Sequence, residues 1–143
     1  MLRICKLTDT ALEQTLRLFL DPETLAERHP TFRMLTAPLD DLREKAENMK
    51  RRLNGMLTSL VVRVTPGESE TGGGSMPGTP IPTFALAVTS DTRPPDRVSF
   101  LLRQCEPPVV ARIAGDAVML DMRTLLDGED DIVIDALRAI DGM

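Results

Sequence analysis

The side chains that most often act as bases, nucleophiles or metal ligands are scarce in this chain. His29 is the only histidine, and Cys5 and Cys105 are the only cysteines. A Ser-His-Asp or Cys-His site therefore has one candidate base, and His29 precedes Pro30 in a connecting stretch, where a capping or solvated imidazole is the commoner role. A zinc site needs a cluster of cysteines and histidines, which the sequence lacks. The two cysteines have no CxxC spacing and are expected to be reduced thiols.

Two other segments resemble ion-binding motifs without completing them. Asp127, Glu129, Asp130 and Asp131 lack the alternate spacing of a calcium loop, and acidic side chains are favoured in the first turn of a helix. The glycine run 72–74 is followed by Ser-Met, whereas a phosphate-binding loop ends in Gly-Lys-Ser/Thr. We interpret the acidic cluster as a helix start and the glycine run as a flexible connection between two strands.

Arginine is the remaining candidate for ligand binding, because fourteen of the seventeen basic residues are arginine. A guanidinium group is always charged and binds anions through two parallel N–H groups, although a compositional bias of the source would give the same count. The net charge of −5 and the absence of Trp and Tyr oppose a nucleic-acid-binding surface.

Length and composition predict a globular protein. With 143 residues, 42% hydrophobic and 27% charged, the chain can bury a core of its own. No apolar run reaches the length of a membrane span, and residues 1–6 lack the apolar stretch and cleavage site of a secretion signal. We therefore expect a cytoplasmic protein without a membrane segment.

Apolar spacing predicts several helices. The first covers 8–20, with Thr8 as N-cap and an apolar stripe at Leu12, Leu16, Phe19 and Leu20. Asp21 and Pro22 are expected to start a short helix that ends before Pro30. The longest stripe, over 35–53, has six positions: Leu35, Leu39, Leu42, Ala46, Met49 and Leu53. It fits a coiled-coil seam or, more commonly in a small domain, a helix lying across a sheet.

The second half of the chain predicts four strands and two helices. Strands are expected over 58–65, 83–90, 109–114 and 117–122, with Pro66 ending the first and Gly115-Asp116 forming a tight hairpin between the last two. Helices are expected over 98–105 and 129–140. We expect residues 67–80 to be mobile. The fold class is α+β, a small antiparallel or mixed sheet of three or four strands with helices on one face.

Five segments, in order, resemble the bacterial selenocysteine synthase family, the L-seryl-tRNA(Sec) selenium transferases. They are 2–23, which contains Lys6-Leu7-Thr8 and Leu20-Asp21-Pro22-Glu23, then 31–36, 68–78, 106–113 and 120–125. The resemblance implies the small C-terminal domain of a fold-type I enzyme that uses pyridoxal phosphate (PLP). It implies a single α+β domain over 1–143, with 1–36 as a helical bridge towards an N-terminal PLP-binding domain outside this chain.

The resemblance also implies a function and partners. The parent enzyme converts seryl-tRNA(Sec) to selenocysteinyl-tRNA(Sec) with selenophosphate, as a homo-oligomer. Lys6, Lys45 and Lys50 lack the glycine-rich context of a PLP-binding lysine, so we expect this chain alone to hold no catalytic residue, bind no PLP and be inactive. A related PLP-dependent lyase and a non-catalytic interaction domain remain alternatives. The 8–20 helix is expected to mediate self-association.

Two arginines are implied as substrate-binding residues. Arg112 matches the arginine of the Pro-Pro-Val-x-x-Arg segment, which in this fold group approaches the acidic end of the substrate. Arg3 matches an arginine that faces the anion of the selenium donor, although Ile4-Cys5 replaces the family's usual small-acidic pair. The alternatives are an ion pair between Arg112 and Asp121 across the hairpin, and a solvated Arg3.

Overall fold

The computed structural model describes residues 4–72 and 78–143. The chain divides into two compact units, Met1–Ala37 and Pro38–Met143. The division falls one residue beyond the 1–36 segment that the sequence set apart. The role of that segment as a bridge stays a prediction.

The first unit consists of three helices: α1 (Lys6–Leu18), α2 (Leu25–Arg28) and α3 (Pro30–Thr36). Helix α1 begins two residues earlier than predicted, so Thr8 lies inside the helix and Cys5 takes the N-cap position. Asp21 and Pro22 do not start α2. Instead the Thr24 hydroxyl donates to Asp21 Oδ2 at 2.7 Å, and the helix begins at Leu25.

His29 is a capping residue, as predicted. Its Nδ1 accepts a hydrogen bond from the Phe32 backbone N–H at 3.1 Å, which satisfies one of the free donors at the start of α3. The Phe19 ring packs edge-on against the rings of His29 and Phe32, with centroids 5.4 and 6.2 Å away. The imidazole thus has a structural role in this unit.

The second unit carries the sheet. Its elements are α4 (Leu39–Leu53), β1 (Leu60–Ser69), β2 (Ile81–Ser90), α5 (Pro95–Arg103), β3 (Arg112–Ala114), β4 (Ala117–Asp121), a 3-10 turn (Met122–Thr124) and α6 (Glu129–Asp141). All strand pairs are antiparallel, in the order β1-β2-β4-β3. The predicted α+β class and four-stranded sheet are confirmed.

The core lies between the sheet and its helices. Cross-strand partners on one sheet face, such as Val88 with Val118 and Leu86 with Leu120, are almost completely buried. Helix α4 packs against β1 and β2, so it lies across the sheet and is not a coiled-coil strand. Its buried stripe has four members, Leu42, Ala46, Met49 and Leu53. Leu35 and Leu39 are exposed: Pro38 separates α3 from α4, so Leu35 lies in α3 and Leu39 is the first residue of α4.

The strand boundaries differ most from the predictions at the end of β1 and at the start of β3. Pro66 does not end β1, which continues to Ser69 in register with β2. Proline is tolerated there because β1 is an edge strand, where a missing N–H leaves no ladder bond unmade. Residues 67–69, which we expected to be mobile, are therefore paired, and 73–77 lie outside the described residues.

The third strand is shorter than predicted, covering 112–114 and not 109–114. The Val109 N–H donates to the Leu102 carbonyl at 2.9 Å, which ties this segment to the end of α5 instead of to β4. The predicted hairpin is present, with Gly115 at a φ of 57°, a conformation that glycine adopts without a steric cost.

The carboxylate of Asp141 joins the last helix to the first strand. It accepts hydrogen bonds from the backbone N–H groups of Thr58, Ser59 and Leu60 at 2.7–2.9 Å and from the hydroxyls of Thr58 and Ser59. Burial raises the pKa of this carboxyl, but the hydrogen bonds from Thr58 and Ser59 lower it more, so the pKa lies well below its usual range.

We expect Asp141→Asn to lower the free energy of unfolding at pH 7 by about 2–4 kcal/mol, since several charge-assisted bonds are lost. A carboxyl with a lowered native pKa stabilises the fold above its unfolded value, about 4, and this contribution disappears as the pH falls towards the native pKa. Denaturant unfolding from pH 7 to 3 should therefore show that the difference in unfolding free energy between wild type and variant becomes smaller below about pH 4.

Asp135→Asn, at an exposed position of α6, is the control. An equal gap at pH 7 and pH 3 would contradict the assignment.

The apolar stripe of α1 is exposed to solvent. Leu12, Leu16 and Phe19 keep 52%, 57% and 47% of their surface accessible, and no residue of α1 is buried. An exposed apolar stripe of this kind tends to be covered by another protein surface.

The predicted self-association through α1 can be tested by sedimentation velocity over a range of concentrations. We expect reversible association that weakens at least about tenfold in the double variant Leu12→Gln, Leu16→Gln. The reason is that the interface between two molecules would bury both leucine side chains, and the variant removes them. Glu13→Gln, also on α1, should leave the association unchanged. A wild-type protein that stays monomeric at high concentration would rule out self-association.

Candidate functional site

Arg112, the arginine singled out from the sequence, is the first residue of β3 and lies opposite Met119 of β4. Its side chain is exposed, and Nη2 donates to the main-chain carbonyl of Glu68 at 3.1 Å. Strands β1 and β3 are the two edges of the sheet, so this contact requires the far end of the β1–β2 hairpin to curl over the sheet. Two-stranded ribbons twist strongly enough to do this.

Asp121, the last residue of β4, receives the curled end of the hairpin. Its carboxylate accepts hydrogen bonds from the hydroxyls of Ser69 and Thr83, the latter at 2.7 Å, and from the Arg123 backbone N–H at 3.0 Å. The ion pair considered between Arg112 and Asp121 is not formed among the described residues. The carboxylate of Asp121 is already committed to these three donors, and the guanidinium of Arg112 turns to Glu68.

Arg123 holds the other strand of the hairpin. This side chain is buried, with 7% of its surface accessible, and its Nη2 donates to the Pro82 carbonyl. Pro82 pairs with Glu68 in the β1–β2 register. Two arginines therefore bind the two carbonyls of one cross-strand pair, Arg112 at Glu68 and Arg123 at Pro82.

These contacts border a cleft of about 430 Å³. Its lining holds a single cation, three carboxylates, two hydroxyls and three apolar side chains: Arg112, Glu68, Glu70, Asp121, Ser69, Thr124, Val110, Ala111 and Met119. The guanidinium can bind an anion at one side, and the acidic rim suits hydroxyl or ammonium donors. The Ser69 hydroxyl and the Asp121 carboxylate of the lining are bonded to each other, and the cation, the other carboxylates and the apolar side chains are the groups that the cleft offers to a ligand.

Sequence reasoning identified Arg112, considered Asp121 only as its ion-pair partner, and missed Ser69 and Arg123. Asp121 and Arg123 lie in the 120–125 segment that carried the resemblance. Strand alternation was the available signal, because it places Met119 and Asp121 on one face of β4. The approach of Ser69 depends on the twist of the hairpin and has no local signal.

Arg3, the second predicted substrate-binding residue, lies outside the described residues. Its role rests on the resemblance alone.

The three lysines lie apart from the cleft around Arg112. Lys45 Nζ binds Asp130 Oδ1 at 3.2 Å and donates to the Leu125 carbonyl at 2.9 Å. Lys6 and Lys50 are exposed on α1 and α4. None of the three lines the cleft around Arg112, so no step that requires a lysine–PLP bond is assigned to this chain.

The acidic cluster at the start of α6 is structural, as interpreted from the sequence. Glu129 Oε2 accepts the Leu126 N–H at 2.8 Å, Asp130 pairs with Lys45, and Asp131 pairs with Arg52. Among residues 4–72 and 78–143 no three acidic, histidine or cysteine side chains are grouped to hold a metal ion. In the same part of the chain, no helix has the length and apolar character to cross a bilayer.

Comparison with known proteins agrees with the resemblance read from the sequence. A family model described as L-seryl-tRNA selenium transferase matches residues 1–126. A protein of Geobacter sulfurreducens named L-seryl-tRNA(Sec) selenium transferase is 42% identical over 140 residues, and proteins of the same name from Clostridium botulinum and Alkaliphilus metalliredigens are each 34% identical over 139 residues. Each alignment covers 97% of this chain and 30% of the relative, so the chain spans less than a third of their length. The chain belongs to the L-seryl-tRNA selenium transferase family.

Proposed function

We propose that this chain is the C-terminal, substrate-binding part of an enzyme that converts seryl-tRNA(Sec) to selenocysteinyl-tRNA(Sec) with selenophosphate. The family match and the names of the relatives support the reaction. The absence of a suitable lysine among the described residues supports a division of labour, in which PLP is bound by a part of the enzyme outside this chain. In this proposal the whole enzyme is a cytoplasmic homo-oligomer.

Arg112 carries the proposal for the site. Its guanidinium has five N–H donors, the structure shows one hydrogen bond for it, to the Glu68 carbonyl, and the side chain is exposed beside a cleft. The remaining donors are free to bind a phosphate-type anion through two parallel bonds. Both substrates carry such a group, selenophosphate as a whole and seryl-tRNA in its backbone.

The acidic rim of the cleft adds selectivity. Glu68, Glu70 and Asp121 line the same cleft as the single cation, so their charges oppose an anion that is not paired with Arg112. A ligand that offers hydroxyl or ammonium donors beside its anionic group would satisfy both parts of the lining. The seryl group esterified to a nucleotide has this combination, which favours the aminoacyl end of the tRNA as the partner of Arg112.

We expect Arg112→Ala, in the full-length enzyme that contains this chain, to lower kcat/KM for selenium transfer by about 10- to 100-fold, the range for loss of charge-assisted hydrogen bonds. Arg112→Lys keeps the charge but not the planar fork, so its loss should be smaller. Arg103→Ala, at an exposed position on α5, is the matched control and should behave as wild type.

Kinetics with each substrate varied in turn identify the ligand. A higher KM for seryl-tRNA alone supports the aminoacyl end, and a higher KM for selenophosphate alone assigns Arg112 to the donor. Unchanged kinetics for both substrates would contradict a substrate-binding role. If the wild-type enzyme eliminates an amino acid substrate without needing selenophosphate or tRNA, the lyase alternative is correct.

A further inference from the structure

One carboxylate holds together the three segments that meet at the cleft. We call the Asp121 side chain, with its donors Ser69, Thr83 and the Arg123 backbone N–H, the Asp121 clasp. Ser69 is the last residue of β1, Thr83 lies near the start of β2, and Asp121 ends β4. Ala85 pairs with Asp121 and is the first β2 residue to pair with β4. The part of β2 that precedes Ala85, on the side of the hairpin turn, has no ladder contact with β4. The clasp therefore connects the free end of the hairpin to β4, beside the bond from Arg123 Nη2 to the Pro82 carbonyl.

The Glu68 carbonyl is available to Arg112 for a specific reason. Alternate residues of an antiparallel edge strand direct their N–H and C=O groups away from the ladder, and Glu68 faces the same side of β1 as Pro66, two residues before it. The carbonyl of Glu68 therefore lies on the open side of β1, where it accepts the Nη2 group of Arg112. The position of this carbonyl is fixed by the next residue, Ser69, whose hydroxyl is held by Asp121.

We propose that Asp121 is a positioning residue for Arg112. It acts through Ser69 and Glu68: the clasp fixes the end of β1, the Glu68 carbonyl is thereby fixed over the cleft, and this carbonyl orients the guanidinium towards the ligand. Asp121 does not touch the guanidinium as an ion-pair partner, which leaves the charge of Arg112 available to an anion. The kinetic consequence of this inference rests on the proposed role of Arg112, but the contact geometry does not.

The alternative is that Asp121 only stabilises the hairpin and that Arg112 points to the cleft without it. Nitrogen-15 NMR of this chain separates the two, because a hydrogen-bonded guanidinium rotates slowly about its Nε–Cζ bond. The Arg112 signal is assigned by its loss in Arg112→Lys. We expect restricted rotation in wild type and fast rotation in Asp121→Asn, whereas Asp116→Asn, in the exposed β3–β4 turn, should match wild type.

A second set of variants removes single donors of the clasp while leaving the carboxylate. Ser69→Ala breaks the link to β1, and Thr83→Val breaks the link to β2. We expect Ser69→Ala to free the Arg112 guanidinium more than Thr83→Val, because the path to Arg112 runs through β1. These variants keep the test usable if Asp121→Asn does not fold. Restricted rotation of Arg112 in every folded variant would overturn the proposal.

In the full-length enzyme, Asp121→Asn should raise KM about 2- to 12-fold for whichever substrate responds to Arg112→Lys, with a smaller change in kcat, since an unrestrained side chain must be ordered on binding. In an Arg112→Ala background the same substitution should have no further effect. An additional loss in that background would show that Asp121 acts independently of Arg112. If Arg112→Ala is itself without effect, the proposed function fails, while the NMR result still decides the positioning.

Discussion

Strand β1 is held at both ends by buried or half-buried carboxylates, and the rest of the second unit depends on this arrangement. Asp141, at the end of α6, accepts the N–H groups and hydroxyls that precede the strand. Asp121 accepts the hydroxyl of Ser69 at its other end. An edge strand has a neighbour on one side only, so its ends are the first part of a sheet to separate. Because both ends of β1 are fixed, β2 keeps its edge-strand partner along its length, and the sheet keeps its edge.

The same two carboxylates lie at opposite ends of β1, in different surroundings. Asp141 lies where α6 meets the start of β1, and its carboxylate connects the helix to the sheet. Asp121 lies at the opposite end of β1, where the hairpin curls over the sheet and the cleft forms. Arg112, the single cation in the lining of this cleft, is bonded to the backbone and not to a carboxylate. The main-chain carbonyl of Glu68 orients the guanidinium without neutralising it, which a carboxylate partner would do.

Much of the fold follows from local patterns in the sequence. The spacing of Leu42, Ala46, Met49 and Leu53 predicted α4, and Gly115-Asp116 predicted the β3–β4 hairpin. The errors occur where a tertiary contact overrides a local preference. Pro66 was expected to stop β1, but its position on the edge removes the cost. Leu35 continues the apolar period of α4 on paper, yet Pro38 places it in another helix.

The candidate site was less predictable than the fold. Arg112 was found through the resemblance and not through its spacing. Glu68 contributes a backbone carbonyl, and a role of the backbone cannot be predicted from the type of side chain. For Asp121 the sequence suggested the wrong partner, Arg112, because the twist of the hairpin was unknown. Arg123 is a buried arginine that binds a backbone carbonyl, a role that composition cannot distinguish from a solvated charge.

Pro66 also has a consequence for the behaviour of the protein in a crowded solution. The outer side of β1 presents backbone donors and acceptors to which a strand of another molecule could add, and such addition is the first step of many aggregates. A proline in the middle of that row removes one donor and places a ring in the way of an incoming chain. Arg63 adds a charge three residues before it. Pro66, which does not end β1, therefore hinders the addition of a further strand to the outer edge of β1.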